Sequence, residues 1–363
     1  MKFETLTEAN YEAWDGFCDQ SDEAWLWHTS HWLEYQRAYR PDLRSRDLSF
    51  TAIDHNGEHL AICPLFVEET ATGVRELSFG GSHLPSPALA NGLTAKRREA
   101  VLKIIFAHID ELAREHGAAR CSFRIAPLAV ETPDINFLVK YGYLDASLYS
   151  QLIDTSRPLE ELRKELRKGH ASDVKRGLAS LELTVFDQNT TTAEIFKSYQ
   201  ALHTLAAGRS TRPQRTFDLM HQMIQQGRGV LIAASKAGKV IGYSLVLIYK
   251  NRGYYASAAN DPAPEYDSLP IAHAIQWTTI EWFNAHGHLS YEIGWQHFGN
   301  QLHDIPSAKE LNLSRFKRGF GGRAVPLFIG EKYFDGAYCE QVLSARVKNY
   351  VATLTCAPAT AQD

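Results

Sequence analysis

Cysteine is scarce in this chain, long apolar runs are missing, and neither sign of charge dominates. The 363 residues include five cysteines with no C-x-x-C pair, so the sequence offers neither a zinc knuckle nor a disulfide framework. No stretch approaches about 18 consecutive apolar residues, and residues 1–5 lack the apolar core of a signal peptide. A formal net charge of −4 excludes a protein that coats nucleic acid. We therefore expect a cytoplasmic protein without a transmembrane segment.

Familiar catalytic motifs are also missing. The sequence has no G-x-S-x-G, no P-loop, no G-x-G-x-x-G after a strand and no H-E-x-x-H. The 15 histidines are scattered, and neither close pair has a carboxylate or cysteine to complete a metal site. We expect no metal and no tightly bound cofactor.

Charge is distributed unevenly along the chain. Residues 1–150 carry 14 Lys and Arg against 22 Asp and Glu, whereas residues 151–250 carry 15 against 9. This asymmetry predicts that an anionic ligand is bound by the second part of the chain. The length favours two domains over one.

Hydrophobic periodicity indicates a mixed α/β chain. In the first part it predicts strands at 48–54, 59–67, 75–79 and 119–125 and a helix at 94–116. In the second part it predicts helices at 159–180, 192–206, 216–226 and 270–285, and strands at 181–186, 230–235, 240–249, 252–258 and 289–293. The shared order of elements suggests two copies of one α/β unit.

Two basic segments are candidate anion sites. Residues 163–176 contain six Lys and Arg, which fit a solvated helix face and a phosphate contact about equally well. Residues 208–215 are turn-like and favour a binding role, because loops often carry function. The candidate binding residues are Lys168, His170, Lys175 and Arg176 in the first segment and Arg209, Arg212 and Arg215 in the second.

Further candidates lie near predicted strand and helix ends. Small residues after Tyr254 and Tyr255 would allow a ligand to approach the backbone closely, although an ordinary strand and turn explain them as well. Residues 314–322 form a basic, aromatic and glycine-rich stretch. A lysine in it could stabilise an oxyanion, but a plain basic loop would have the same composition. The remaining candidates are Ser257, His273, Trp277, Glu292, Trp295, Phe316 and Lys317.

Taken in order, these stretches resemble the Fem-type acyltransferases, the FemAB-like family of the GNAT superfamily. The resemblance begins at Thr29-Ser30-His31-Trp32-Leu33-Glu34-Tyr35, which is similar to the family's opening Ser-x-x-Trp. It continues through the segments Phe79-Gly80-Gly81, Pro85-Ser86-Pro87, 162–177, Arg209–Arg215, Gly253-Tyr254-Tyr255, Pro270–Trp277, Tyr291–Gly294 and Phe316-Lys317 before Gly321-Gly322. No single segment is specific, but the ordered set spans nearly the whole chain.

The resemblance implies an α/β (mixed α+β) fold with two GNAT-like domains, each a mixed, mostly antiparallel sheet flanked by helices. The first domain would be 1–150, completed by a C-terminal tail at about 323–363, and the second 151–322 would carry the acyl-transfer site. By resemblance, Phe316 and Lys317 are the family's Phe-Lys pair, with the lysine stabilising charge during transfer. Tyr254 and Tyr255 would line the acyl channel, and the basic helix would face phosphates. No coiled-coil arm, common in peptidoglycan-bridge enzymes, is present.

The expected function is N-acyl transfer to an amine, with Glu292 and His273 as candidate bases. GNAT enzymes hold the CoA diphosphate with a glycine-rich turn entering a helix, but residues 261–271 have no glycine, three prolines and three acids. This departure favours aminoacyl-tRNA as donor over acyl-CoA or a carrier thioester. A non-catalytic GNAT-fold binding protein is a further alternative. The acceptor amine could belong to a peptidoglycan or other cell-envelope precursor, a sugar nucleotide or a small metabolite.

Overall fold

The computed structural model describes residues 1–355, which form 18 strands, 10 α-helices and three sheets. The strands are β1 Lys2–Thr5, β2 Arg44–Asp47, β3 Phe50–Ile53, β4 His59–Cys63, β5 Phe66–Glu69, β6 Arg75–Leu77, β7 Leu84–Pro85, β8 Ala88–Leu89, β9 Arg120–Arg124, β10 Leu144–Asp145, β11 Leu148–Asp154, β12 Glu182–Phe186, β13 Gly229–Lys236, β14 Lys239–Tyr249, β15 Arg252–Asn260, β16 Ser290–Gln296, β17 Arg323–Leu327 and β18 Ile329–Tyr333. The helices are α1 Tyr11–Gln20, α2 Ser30–Tyr39, α3 Ala95–Glu115, α4 Leu159–Glu165, α5 Lys168–Ser180, α6 Ala193–Ala207, α7 Gln214–Gln225, α8 Ile271–Ala285, α9 Ala308–Arg318 and α10 Gly336–Thr355.

The first part of the chain contains two sheets. One has the order β1-β3-β4-β8, and the other has the order β10-β18-β9-β6-β5-β2, with β7 on β9. Helix α3 buries Leu102, Ile105 and Ile109 in the shared core, as the 3/4 spacing of these residues requires. Strand β18 comes from the C-terminal end of the chain and pairs with β9.

The second part is built on one sheet with the order β12-β13-β14-β15-β16-β11-β17. One face packs on α5 and α8, and Trp277 and Phe283 fill its core. The other face carries α6 and α7 and shares a continuous core with the first part of the chain, in which Tyr243, Leu245 and Leu247 take part. The first part therefore lies against that face of the sheet.

The predicted fold class is confirmed, with one difference in the first part. Most predicted elements are present within a few residues, but the first part has two sheets rather than one. The predicted helix at 159–180 is divided into α4 and α5 at Leu166 and Arg167, whose extended backbone turns the chain. Residues 356–363, the end of the predicted tail, lie outside the described residues. Among residues 1–355, no helix is long and apolar enough to cross a membrane.

Candidate active site

Two neighbouring parallel strands separate in the middle of the sheet that forms the second part of the chain. Strands β15 and β16 pair only from Arg252 with Ser290 to Tyr254 with Glu292. Just beyond this point each strand has an irregular register with its other neighbour, which leaves an extra residue in each. In β16, Gly294 has a φ of +110°, a conformation that side-chain-bearing residues rarely adopt. The separated strands leave an opening at the centre of the sheet.

Lys317 lies above this opening. Helix α9 begins at a capping box formed by Ser307 and Glu310 and packs against β16. The Nζ atom of Lys317 donates a hydrogen bond to the Trp295 carbonyl at 3.2 Å. A Cβ on Gly294 would lie 2.9 Å from that Nζ, and the φ of +110° favours glycine at this position. Burial lowers the pKa of Lys317, while the carboxylate of Glu292 acts in the opposite direction.

Glu292 is a buried carboxyl beneath the same opening. Its side chain is 2% exposed, and its Oε1 accepts a hydrogen bond from the Ser150 hydroxyl at 2.5 Å. Burial raises the pKa of Glu292, and the hydrogen bond from Ser150 and the charges of Arg124 and Lys317 oppose the rise. An acid and an amine with shifted pKa values thus face each other where the two strands separate.

A cleft with a cavity volume of about 180 Å³ lies between the two parts of the chain. Tyr254 connects the cleft with the opening, because it lines the cleft and interacts electrostatically with Glu292. The cleft is also lined by aromatic and basic residues, among them Trp27, Trp32, Tyr35, Tyr39, His83, Arg124 and Arg212.

A cluster of aromatic rings supports the helix that carries Lys317. His170 accepts a hydrogen bond at Nδ1 from Arg167, so its Nε2–H donates to the Phe316 carbonyl at 2.9 Å. The ring of His273 lies 4.6 Å from that of His170 and 5.0 Å from that of Phe316. His170 therefore joins α5 to the last turn of α9, and it is buried rather than facing solvent.

Replacing Gly319 with alanine should test this contact. The new Cβ would lie 2.2 Å from His170 Nε2, so the ring or the end of α9 must move. We expect the free energy of unfolding to fall by about 1–3 kcal/mol in urea titrations, the usual effect of overpacking. Gly169→Ala is the matched control, because a Cβ there meets nothing within 4 Å. Equal stabilities of the two variants would contradict this role of His170.

The structure separates the other predicted residues. Adjacent strand positions face opposite sides of a sheet, so Tyr254 faces the cleft while Tyr255 packs in the core with α8. Trp277 is fully buried in that core and donates a hydrogen bond to Glu281. Trp295 offers its carbonyl to Lys317, and Ser257 is half-buried on β15. The exposed candidates are Arg209, Arg215, Lys168, Lys175 and Arg176, of which Arg215 pairs with Glu34 and Arg176 with Asp173.

Sequence reasoning missed several residues of this region. Arg124 lies on strand β9 and Ser150 on strand β11. Ser150 is more than 140 residues from Glu292 in the sequence. The one available signal for Arg124 is a lone cation between the apolar residues Phe123 and Ile125. Ser150 gives no signal at all, because a serine in a strand is unremarkable in composition.

Residues 159–304 match the model of the acetyltransferase (GNAT) domain family. No curated protein sequence matches the chain.

Solved structures match over nearly the whole chain. The structure of FemX has a TM-score of 0.65 at 12% identity and covers 94% of this chain and 100% of its own. L-PGS from Bacillus licheniformis has a TM-score of 0.56 at 12% identity, covering 95% and 98%. A tandem GNAT protein from the clavulanic acid biosynthesis pathway has a TM-score of 0.50 at 12% identity, covering 92% and 98%.

At these identities the structural likeness establishes the fold. It confirms the predicted Fem-like resemblance, and the GNAT match within the second part confirms the predicted enzyme class. The chain therefore has the fold of FemX, and the GNAT match over residues 159–304 supports an acyltransferase.

Proposed function

We propose that this protein transfers an activated aminoacyl or acyl group to an amine acceptor, with Lys317 as the catalytic cation. The observation that carries the proposal is the half-buried Lys317, whose Nζ is held over the opening between β15 and β16 by the Trp295 carbonyl. A cation fixed in a water-poor site stabilises developing negative charge strongly, because it needs no reorganisation during the reaction.

The transfer follows from this placement. The neutral amine of the acceptor attacks the donor carbonyl, a C–N bond forms, and Lys317 stabilises the resulting oxyanion. Collapse breaks the ester C–O bond of an aminoacyl-tRNA, or the C–S bond of a thioester. The proton lost by the amine ends on the leaving oxygen or sulfur, so charge and atoms balance.

Glu292 is the better placed of the two candidate bases. Its electrostatic partners are Lys317, Arg124 and Tyr254, all at the opening or the cleft. His273 lies among the rings beside α9, and burial lowers its pKa to about 4, so it is neutral at physiological pH. We assign Glu292 to the acceptor side of the reaction and retain His273 as a support of α9.

We propose aminoacyl-tRNA as the donor. Residues 261–271, which precede α8, offer few free N–H groups to a diphosphate: those of Asp261, Ala263, Tyr266, Asp267, Leu269 and Ile271 all donate within the protein. The start of α8 is also covered, since a Cβ on Gly177 of α5 would lie 3.2 Å from the Pro270 carbonyl. Both features speak against a CoA diphosphate at this turn.

A cationic surface beside Lys317 supports an RNA donor. Burial lowers the pKa of Arg318, and the charges of Arg315 and Arg167 lower it further, so both of these arginines lie near Arg318. Within the described residues none of the three pairs with a carboxylate. Such a cluster attracts phosphates of a nucleic acid backbone, and we expect transfer to weaken as salt is raised.

An acyl-thioester donor is the second candidate, favoured by the GNAT acetyltransferase match over residues 159–304. The candidate acceptors are an amine on a cell-envelope precursor, as the Fem-like resemblance implies, and the amine of a small metabolite. Location in the cytoplasm, where charged tRNA is present, belongs to the same proposal.

One experiment separates the two donors. The purified protein is incubated with pooled charged tRNAs or with acyl-thioesters, together with candidate amines, with and without RNase, and products are identified by mass spectrometry. We expect transfer from charged tRNA that RNase abolishes. RNase-resistant transfer from thioesters alone would overturn the tRNA donor but keep the acyl transfer, and no product from either donor would contradict both.

A further inference from the structure

The cleft between the two parts of the chain contains donors that lack acceptors. Within the described residues, four buried side-chain N–H groups of Trp and Arg have no hydrogen-bond partner: Trp32 Nε1, Arg120 Nε, Arg124 Nε and Arg212 Nε. Three of the four belong to residues that line this single cleft. Buried N–H groups are nearly always paired, so the cleft lacks hydrogen-bond acceptors that a bound molecule would supply.

The cleft arginines also lack a counter-charge. Arg120, outside the cleft, pairs with Glu76 at 3.0 Å and Glu331 at 3.2 Å. Neither Arg124 nor Arg212 has a carboxylate within 4.0 Å among the described residues. Arg124 lies 4.9 Å from the ring centre of Trp27, and Arg212 lies 5.5 Å from that of Phe217. Unpaired guanidinium groups in a partly buried cleft are costly, and an anion offsets that cost.

Aromatic rings form a wall between the two arginines. The ring centres of Trp27 and Trp32 are 4.3 Å apart, and Tyr35 stacks on Trp32 at 4.6 Å. Tyr39 continues the row at 5.9 Å from Tyr35, and Arg212 lies 5.9 Å from the ring of Tyr39. The wall therefore has one guanidinium at each end and suits a flat apolar body.

Arg124 marks the reactive end of this wall. It is an electrostatic partner of both Tyr254 and Glu292, whereas Arg212 interacts at the far end with the Tyr35 hydroxyl at 3.3 Å. His83, the other basic residue in the cleft, is neutral at physiological pH because burial lowers its pKa to about 4. The positive charge nearest to the site of transfer is thus carried by Arg124 and Lys317.

We propose that the acceptor is a small amine-bearing carboxylic acid with a flat apolar body, such as an aromatic amino acid. Its carboxylate binds Arg124, its amine lies at the opening beside Glu292, and its ring lies along the aromatic wall towards Arg212. This inference rests on the proposed acyl transfer, since it names the acceptor of that reaction. It differs from a phosphate-bearing precursor in both size and charge.

Binding can be tested without turnover. L-Tyrosine, tyramine and uridine diphosphate are titrated into the full-length protein while the fluorescence of the cleft tryptophans is recorded. We expect L-tyrosine to bind about 10- to 100-fold more tightly than tyramine, which lacks the carboxylate, because a charged hydrogen-bonded pair is lost. Equal affinities would overturn the proposal, and so would tighter binding of uridine diphosphate.

Arg124→Met provides the second measurement. It should weaken the binding of L-tyrosine by about 10- to 100-fold and leave the affinity for tyramine unchanged. The midpoint of thermal unfolding should stay equal or rise, because an unpaired buried charge is removed. Arg46→Met, at an exposed arginine on β2, is the control and should change none of these. A lower midpoint with unchanged affinity ratios would show that Arg124 is merely structural. Binding of L-tyrosine without acylation from any donor would contradict the proposed function alone.

Discussion

Lys317→Met is expected to lower kcat by about 10²- to 10³-fold, as the loss of one oxyanion-stabilising donor does in acyl-transfer enzymes. The Nζ of Lys317 lies over the opening between the two strands, beside Gly294 and the Trp295 carbonyl. Its ammonium group is therefore placed to stabilise the oxyanion. Methionine has a similar length and suits a buried site, so the side chain still fills the space under α9. The measurement is the rate of product formation at saturating donor and acceptor.

The control for this variant lies on the same helix. Lys309→Met removes an exposed lysine from the first turn of α9 and should leave kcat within about twofold, because surface substitutions rarely have large effects. Far-UV circular dichroism should show both variants folded. Unchanged turnover in a folded Lys317→Met protein would remove this residue from the mechanism.

Glu292→Gln is expected to move the alkaline limb of the pH–kcat profile to lower pH by about one unit. The carboxylate of Glu292 favours the ammonium form of Lys317, whereas burial of Lys317 favours the neutral amine. With the negative charge gone, only burial remains, so the pKa of Lys317 falls further. The lysine then loses its proton, and with it the stabilising charge, at a lower pH than in the parent protein.

Glutamine retains the oxygen that accepts the Ser150 hydrogen bond, so the packing around position 292 is kept. Glu340→Gln, at an exposed position on α10, removes the same charge far from the opening and should leave the profile in place. A general-base role for Glu292 would add a uniform loss of about 10²- to 10⁴-fold across the profile. An unchanged profile would show that Glu292 does not interact with Lys317 during turnover.

Local pattern was sufficient for much of the fold. The hairpin of β13 and β14 follows from two apolar runs around Ala237 and Gly238, both of which have positive φ. Helix α3 follows from apolar residues at 3/4 spacing. The division of 159–180 into two helices was not predicted, since its helix-forming composition gives no sign of the turn at Leu166 and Arg167. Tertiary packing decides that turn, because Arg167 N–H bonds to the Gly319 carbonyl.

The candidate site shows the same division. Glu292, Phe316 and Lys317 are predictions from the order of motifs along the chain, and the structure brings Lys317 and Glu292 together at one opening. His170 was predicted to face a phosphate, and the structure shows its ring bonded to the Phe316 carbonyl. A basic helix has the same sequence whichever face is buried, so only the packing of α5 against α9 could reveal that contact.

The cysteine-poor, moderately charged sequence by itself determined the mixed α/β class and the main helices and strands, because secondary structure depends on the pattern of apolar residues close together in the chain. The Phe-Lys pair at 316–317 was predicted by resemblance to a family. The cleft required the tertiary structure. Arg124, Arg212 and Trp32 come from distant parts of the chain, and their shared lack of acceptors exists only once both parts are packed together. Net charge gives no sign of this, since two unpaired arginines are invisible in a total of −4.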